Sequence, residues 1–176
     1  PLAESRRLMD GLLRARRGVD DAALSCEVQE LDMTVLGHAG SFDEAWLAAE
    51  QVERCAHELG VAGIQADALL AMGLIAARGG ARSQTETDVH FQRALDALGS
   101  EPARLGRSVI LWQRGNALGT VRKWKEAEPY FSASLALSRE IADTVGIGVS
   151  STSLADMQLH LGHPEKALPL FDEARR

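Results

Sequence analysis

Few residues in this 176-residue chain have the type and spacing that chemistry requires. His160-x-x-His163 has a spacing open to two metal ligands. The pair straddles Gly162, however, and lacks a cysteine or extra carboxylate to complete a zinc set. Gly146-Ile147-Gly148 is not followed by a third glycine at dinucleotide-fingerprint spacing, and no strand precedes it. Cys55 and His57 are separated by one residue, so on a helix they point away from each other and form no nucleophile–base pair. Cys26 and Cys55 lack CxxC spacing and read as isolated, buried thiols of a reducing cytoplasm. Arg14, Arg16 and Arg17 have no interleaved aromatics and read as a solvated helix face. The expectation is a chain without catalytic, cofactor or metal residues, and not an enzyme.

Composition says what must position the remaining candidates. Alanine (27) and leucine (24) fill 51 of the 176 positions. Disorder would need an apolar-poor chain, and a sandwich or barrel would need β-branched and aromatic residues. No apolar run approaches the roughly 18–20 residues of a membrane span, and no signal-peptide pattern is present. A soluble, all-α cytoplasmic chain remains. The net charge of −6 argues against a nucleic-acid surface and is uneven: residues 21–60 carry −8 and residues 101–140 carry +3. Sixteen arginines against three lysines, with the alanine load, point to a GC-rich bacterial genome. The chain opens on Pro1 and stops at Arg176 within a helical pattern, as a piece of a longer protein would.

The strongest signal is internal repetition. Ala127 and Ala167, Pro129 and Pro169, Phe131 and Phe171, and Gly115 and Ala155 all share one offset, a period of about 40 residues. Ala45 precedes Ala127 by close to twice that offset, so a degenerate middle copy should lie near residue 87, after the turn at Gly79-Gly80. There Phe91 and Ala94 supply the seam, and Ala81 to Asp88 read as a lengthened loop. Each period divides into two helices. Val109, Leu111, Trp112, Ala117, Leu118 and Val121 mark one apolar face; Ala127, Phe131, Leu135 and Ile141 mark the next. Ser41-x-x-Glu44 reads as a capping box, and Pro164 suits a first helical turn.

Gly115-Asn116-Ala117-Leu118 followed by Trp124-Lys125-Glu126-Ala127 and Phe131 resembles the tetratricopeptide repeat signature. Gly40-Ser41-Phe42-Asp43-Glu44-Ala45 matches it in the first copy; Leu154-Ala155, Gly162, Ala167, Phe171 and Ala174 match it in the last. The period of about 40, longer than the usual 34, is similar to the long variety in bacterial regulatory proteins. Asp32, Arg114 and Gln158 depart from the pattern, standing where it has apolar or aromatic residues. The resemblance implies one right-handed α-solenoid of stacked antiparallel helix pairs, about nine helices in all. Residues 1–20 would be an orphan helix, with repeats over 21–60, 61–100, 101–143 and a truncated 144–176.

The resemblance also implies that first helices line a concave groove that binds protein or peptide segments. Outward positions there are Glu27, Glu30, Thr34 and His38, then Asp67, Leu70, Leu74 and Arg78. Trp112, Gln113, Asn116 and Thr120 follow, then Thr152, Ser153, Asp156 and His160. Of these, Glu30, Thr34, Leu70, Leu74, Arg78, Trp112, Gln113, Asn116, Thr152, Asp156 and His160 are the partner-binding candidates. Trp112 is either a peptide anchor or packing against the next helix. Glu30 and Thr34 stand where some family members carry a carboxylate clamp, so that clamp is absent; an acidic first repeat favours a basic or mixed segment. A peptide-binding scaffold of a larger regulator is the expected function. The alternative is self-association through the apolar side of the last helix, at Ala167, Leu170, Phe171 and Ala174.

Overall fold

The computed structural model describes residues 22–78, 83–99 and 103–175. Within them every regular element is an α-helix: α1 (Ala22–Ala39), α2 (Phe42–Leu59), α3 (Ala62–Arg78), α4 (Gln84–Leu98), α5 (Arg104–Thr120), α6 (Trp124–Glu140), α7 (Thr144–His160) and α8 (Pro164–Ala174). The fold is all-α, built of consecutive helix pairs as in an α-solenoid. The orphan helix expected over residues 1–20 lies outside the described residues. No described helix is long and apolar enough to cross a membrane.

The chain divides into two compact units, Pro1–Ala97 and Leu98–Arg176. In the first, α1 packs on α2, α2 on α3, and α1 also reaches α3. In the second, α5 packs on α6, α6 on α7 and α7 on α8, with α5 also reaching α7. First helices therefore lie beside first helices within each unit, which is how an outward face shared by several helices arises.

One turn geometry recurs between helices. A backbone N–H from beyond the helix bonds a carbonyl of its last turn at Ser41 to Leu36, Val61 to Ala56, Lys123 to Leu118, Asp143 to Ser138 and His163 to Gln158, all at 2.8–3.1 Å. This closure needs a left-handed residue just past the helix. Gly40, Gly60 and Gly162 supply it at no steric cost, whereas Arg122 and Ala142 adopt φ of 61° and 53° with a side chain in the way.

The core follows the repeat. Ala45, Thr87, Ala127 and Ala167 are all buried, so Thr87 stands where the middle copy should have its small residue. On first helices Gly73 and Gly115 receive the Phe91 and Phe131 rings: a Cβ would stand 3.3 Å from the first ring and 2.7 Å from the second. Gly73 and Phe91 are further apart in sequence than Gly115 and Phe131, so the turn between α3 and α4 takes up the extra length. The first copy inverts the sizes, with buried Met33 on α1 and buried Ala49 on α2 at the matching places. A large residue has changed helix while combined volume stays similar, as close packing tolerates.

Several local expectations need correction. Ser41 makes no side-chain cap bond. The capping box is instead Ser83-x-x-Glu86: the Ser83 backbone N–H donates to Glu86 Oε2 at 2.7 Å, and the Glu86 N–H donates to Ser83 Oγ at 3.2 Å. That box starts α4 at Gln84, within the stretch expected to be a loop. Ala167 is buried and Leu170 packs against the core, so the apolar side of the last helix is not bare there; Leu168 is its exposed large apolar residue. Pro164 does open α8, while Pro129 and Pro169 sit inside their helices past the first turn, where each withdraws one helical donor.

A buried serine ladder crosses the second unit. Ser108 (α5), Ser134 and Ser138 (α6) and Ser150 (α7) are all buried. Ser134 Oγ donates to the Ser108 carbonyl at 2.8 Å and pairs with Ser150 Oγ at 2.9 Å, and Ser108 Oγ pairs with Ser138 Oγ at 2.8 Å. Short side chains let the helices approach, and each hydroxyl finds a partner that hydrocarbon would not offer.

Candidate binding face

The outward side of α5 and α7 is built twice from one register. Leu105 and Val109 on α5, at 55% and 42% exposed, recur one period later as Val145 and Val149 on α7, at 73% and 39%. Aliphatic side chains at i and i+4 share a helix face, so each helix presents two adjacent apolar groups to solvent. A shallow hollow of about 400 Å³ opens beside the α7 pair, lined by Thr144, Val145, Gly148, Val149, Thr152 and Ser153 of α7 and by Ala174 of α8. At Gly148 an added Cβ would make ordinary contact with the Ala174 carbonyl, at 3.7 Å. Thr152 is tied locally, its hydroxyl donating to the Gly148 carbonyl at 2.9 Å.

Trp112 is half-buried on this side. Its indole N–H donates to Ser153 Oγ at 2.9 Å, joining α5 to α7, and its ring packs against the Leu118–Phe131–Leu154 core. The ring is thus a floor for the face and not a free plate standing above it. Gln113 and Asn116 are half-buried on the same helix, and Asp156 is exposed further along α7. His160 is drawn away to the end of α7, where it stacks on Trp124 at 4.2 Å between centroids and 6° between planes. Two of the departures from the repeat pattern make contacts of their own. Arg114 lies over the Tyr130 ring at 4.4 Å, and buried Gln158 donates to Glu128 Oε1 at 2.8 Å.

In the first unit the candidates include one acid, Glu30, and one base, Arg78. Glu30 on α1 and Asp67 on α3 carry like charges that repel when both are ionised. Burial, then repulsion from Asp67 and Glu27, pushes the Glu30 pKa above the ordinary range. Asp67, whose side chain still reaches solvent, is likewise raised, chiefly by partial desolvation. Thr34 donates to the Glu30 carbonyl at 3.0 Å, and its own carbonyl meets His38 Nδ1 at 2.9 Å. Leu70 and Leu74 are half-buried on α3, with Arg78 exposed in its last turn.

Two sets of residues escaped the sequence. The aliphatic pairs carry a signal that was there to find, because they obey the same offset as the core. The thiols carried none: Cys26 is fully buried, and its thiol donates to the Val52 carbonyl across on α2 at 3.7 Å. Among the described residues no group of three or more His, Cys, Asp or Glu side chains gathers as a metal site, and His160 faces Trp124 instead.

Stacked helix pairs at a common period, with a glycine receiving a phenylalanine ring in two of them, decide the comparison. Residues 106–176 match the tetratricopeptide repeat. No curated protein matches the chain. Repeats of this type generally mediate protein–protein contacts, and the matched residues contain nearly all of the α5–α7 face.

Proposed function

We propose that the chain is a non-catalytic module that captures a protein or peptide segment on its first helices, within a larger bacterial signalling or transcription-regulatory protein of the cytoplasm. The observation that carries this is the duplicated exposed aliphatic pair, Leu105–Val109 and Val145–Val149, the second of which lines a hollow of about 400 Å³. An apolar patch with polar groups at its edge is what a peptide's side chains need, since burying them supplies the favourable free energy. Gln113, Asn116, Thr152 and Asp156 stand at that edge to meet a peptide backbone. Glu30, Thr34, Leu70, Leu74 and Arg78, with Glu27 and Asp67 beside them, offer a second, more acidic face in the other unit, fitted to a basic or mixed segment.

The test is a panel of peptides of varied charge and apolar content, titrated while amide shifts and tryptophan fluorescence are followed. Shifts clustered on α5 and α7 are expected with apolar or amphipathic peptides. Unchanged spectra across the whole panel would remove the proposal. The alternative, self-association, draws support from Leu168 on α8, which is 67% exposed. Sedimentation of the native chain against Leu168→Glu separates the two. A dimer that the substitution abolishes favours self-association, and a monomer at high concentration removes it.

A further inference from the structure

The seat that α7 occupies is built twice in the second unit. Ser108, Phe131 and Ser134 are all buried where α7 packs on α6 and reaches α5. Ser150 of α7 pairs with Ser134 at 2.9 Å, Ser153 accepts the Trp112 indole N–H, and Leu154 and Met157 enter the Phe131 core. One period later the matching positions are Gly148 on α7 with Phe171 and Ala174 on α8, and all three are only half-buried. Gly148 and Ala174 also line the hollow of about 400 Å³. The α7–α8 pair thus repeats the α5–α6 surface on which a helix already lies. We infer, resting on the capture of a protein segment proposed above, that α7 and α8 together seat an amphipathic helix of a partner protein, packed on them as α7 packs on α5 and α6.

The two seats differ in chemistry, and the differences describe the partner. Ser108 and Ser134 bring hydroxyls to the earlier seat, and the short Ser150 side chain answers them. Gly148 and Ala174 bring neither a hydroxyl nor length, so an apolar side chain fits where α7 has Ser150; a hydroxyl there would be buried without a partner. Thr152 stands where Trp112 reaches out to Ser153, and its own hydroxyl already donates to the Gly148 carbonyl. The partner therefore needs no acceptor at the place of Ser153, and a small residue suffices. Apolar residues at the places of Leu154 and Met157 cover the half-buried Phe171 ring. The resulting stripe, apolar-x-x-small-apolar-x-x-apolar, lies along one face of a helix. An extended segment turns successive side chains to opposite sides and cannot present it. Helix-in-groove capture of this kind is read through such spaced anchors.

The experiment uses the native 176-residue chain and a lysine- and alanine-based helical peptide that carries Leu-x-x-Ala-Leu-x-x-Met. A second peptide of the same stripe has a central proline that breaks the helix. Amide shifts on α7 and at Phe171 and Ala174 of α8 are expected with the helical peptide, and binding at least about tenfold weaker with the broken one. Ala174→Glu puts a charge into the seat, and Gly148→Leu fills it. Each should weaken the helical peptide at least about tenfold, with a thermal midpoint near that of wild type to show that the seat is still folded. Shifts confined to α5 and the outward side of α7, with an affinity that Ala174→Glu leaves unchanged, would overturn the helix seat yet leave capture on the first helices standing. Equal binding of the helical and broken peptides, or no binding of the helical one, would overturn it as well. So would the same α7 and α8 shifts produced by concentrating the chain alone, since a second copy would then be the occupant.

Discussion

Gly115 on α5 lies so close beneath Phe131 on α6 that a methyl group on the glycine would stand 2.7 Å from the ring. The second unit's core is organised around that approach, because Leu118, Ala127, Leu135 and Leu154 cluster with the same phenylalanine. Gly115→Ala brings a helix-propensity gain of about 1 kcal/mol and an overlap costing about 1–3 kcal/mol. The net expectation is a lower unfolding midpoint in urea. Gly37→Ala, with nothing within 4 Å of the added methyl, should raise stability by up to about 1 kcal/mol. Opposite signs for the two substitutions are the check.

Ala142 holds a left-handed conformation that Gly60 holds at the corresponding turn of the first unit. A side chain there costs about 1–2 kcal/mol, partly offset by the greater freedom of glycine when unfolded. Ala142→Gly should therefore stabilise the chain by up to about 1 kcal/mol, and a fall in the thermal midpoint would refute this account of the turn.

The serine ladder makes a stronger demand. Ser134 bonds the Ser108 carbonyl and the Ser150 hydroxyl at 2.8 and 2.9 Å in a buried position. Ser134→Ala removes both bonds and leaves buried hydroxyls short of partners, at a cost of about 1–3 kcal/mol. Denaturant unfolding should show a shifted midpoint with an unchanged slope. A Ser134→Ala chain as stable as wild type would mean that the ladder contributes nothing.

Glu30 and Asp67 make stability depend on pH in a definite direction. Both folded-state pKa values are raised, so the native chain holds protons that the unfolded chain releases. Stability contributed by the protonated pair is present below the ordinary carboxylate range, near pH ~4, and declines as pH rises through the raised values. Asp67→Asn removes one acid and its repulsion on Glu30, so the decline should flatten. Urea midpoints taken from mildly acid to mildly alkaline pH measure it; identical slopes for both chains would contradict the pairing.

How much of this was legible depends on whether a residue's role is local or repeated. Phe91, Phe131 and Phe171 announce themselves at a fixed offset, and so do Ala127 and Ala167, because every pair must solve the same packing problem. Met33 and Ala49 hid the first copy by exchanging large and small between helices. The capping box was misplaced since Ser41-x-x-Glu44 and Ser83-x-x-Glu86 have the same spelling, and only geometry shows which closes. Trp112 looked like a free ring because sequence cannot reveal that Ser153, one helix pair further on, receives its N–H. Ala167 looked exposed for want of knowing which side of α8 meets its neighbours.

The central claim is that the α5–α7 face captures a peptide, and competition at Val149 tests it most directly. Peptides selected from a random display library against the native chain are titrated against wild type and against Val149→Asp. Val149 lines the hollow and is 39% exposed, so the change places a charge where a peptide side chain would be buried. The account predicts an affinity at least about tenfold weaker, equal to about 1.4 kcal/mol of lost burial, with an unaltered thermal midpoint. Selected peptides that bind both chains equally, or a library that yields none, would contradict it.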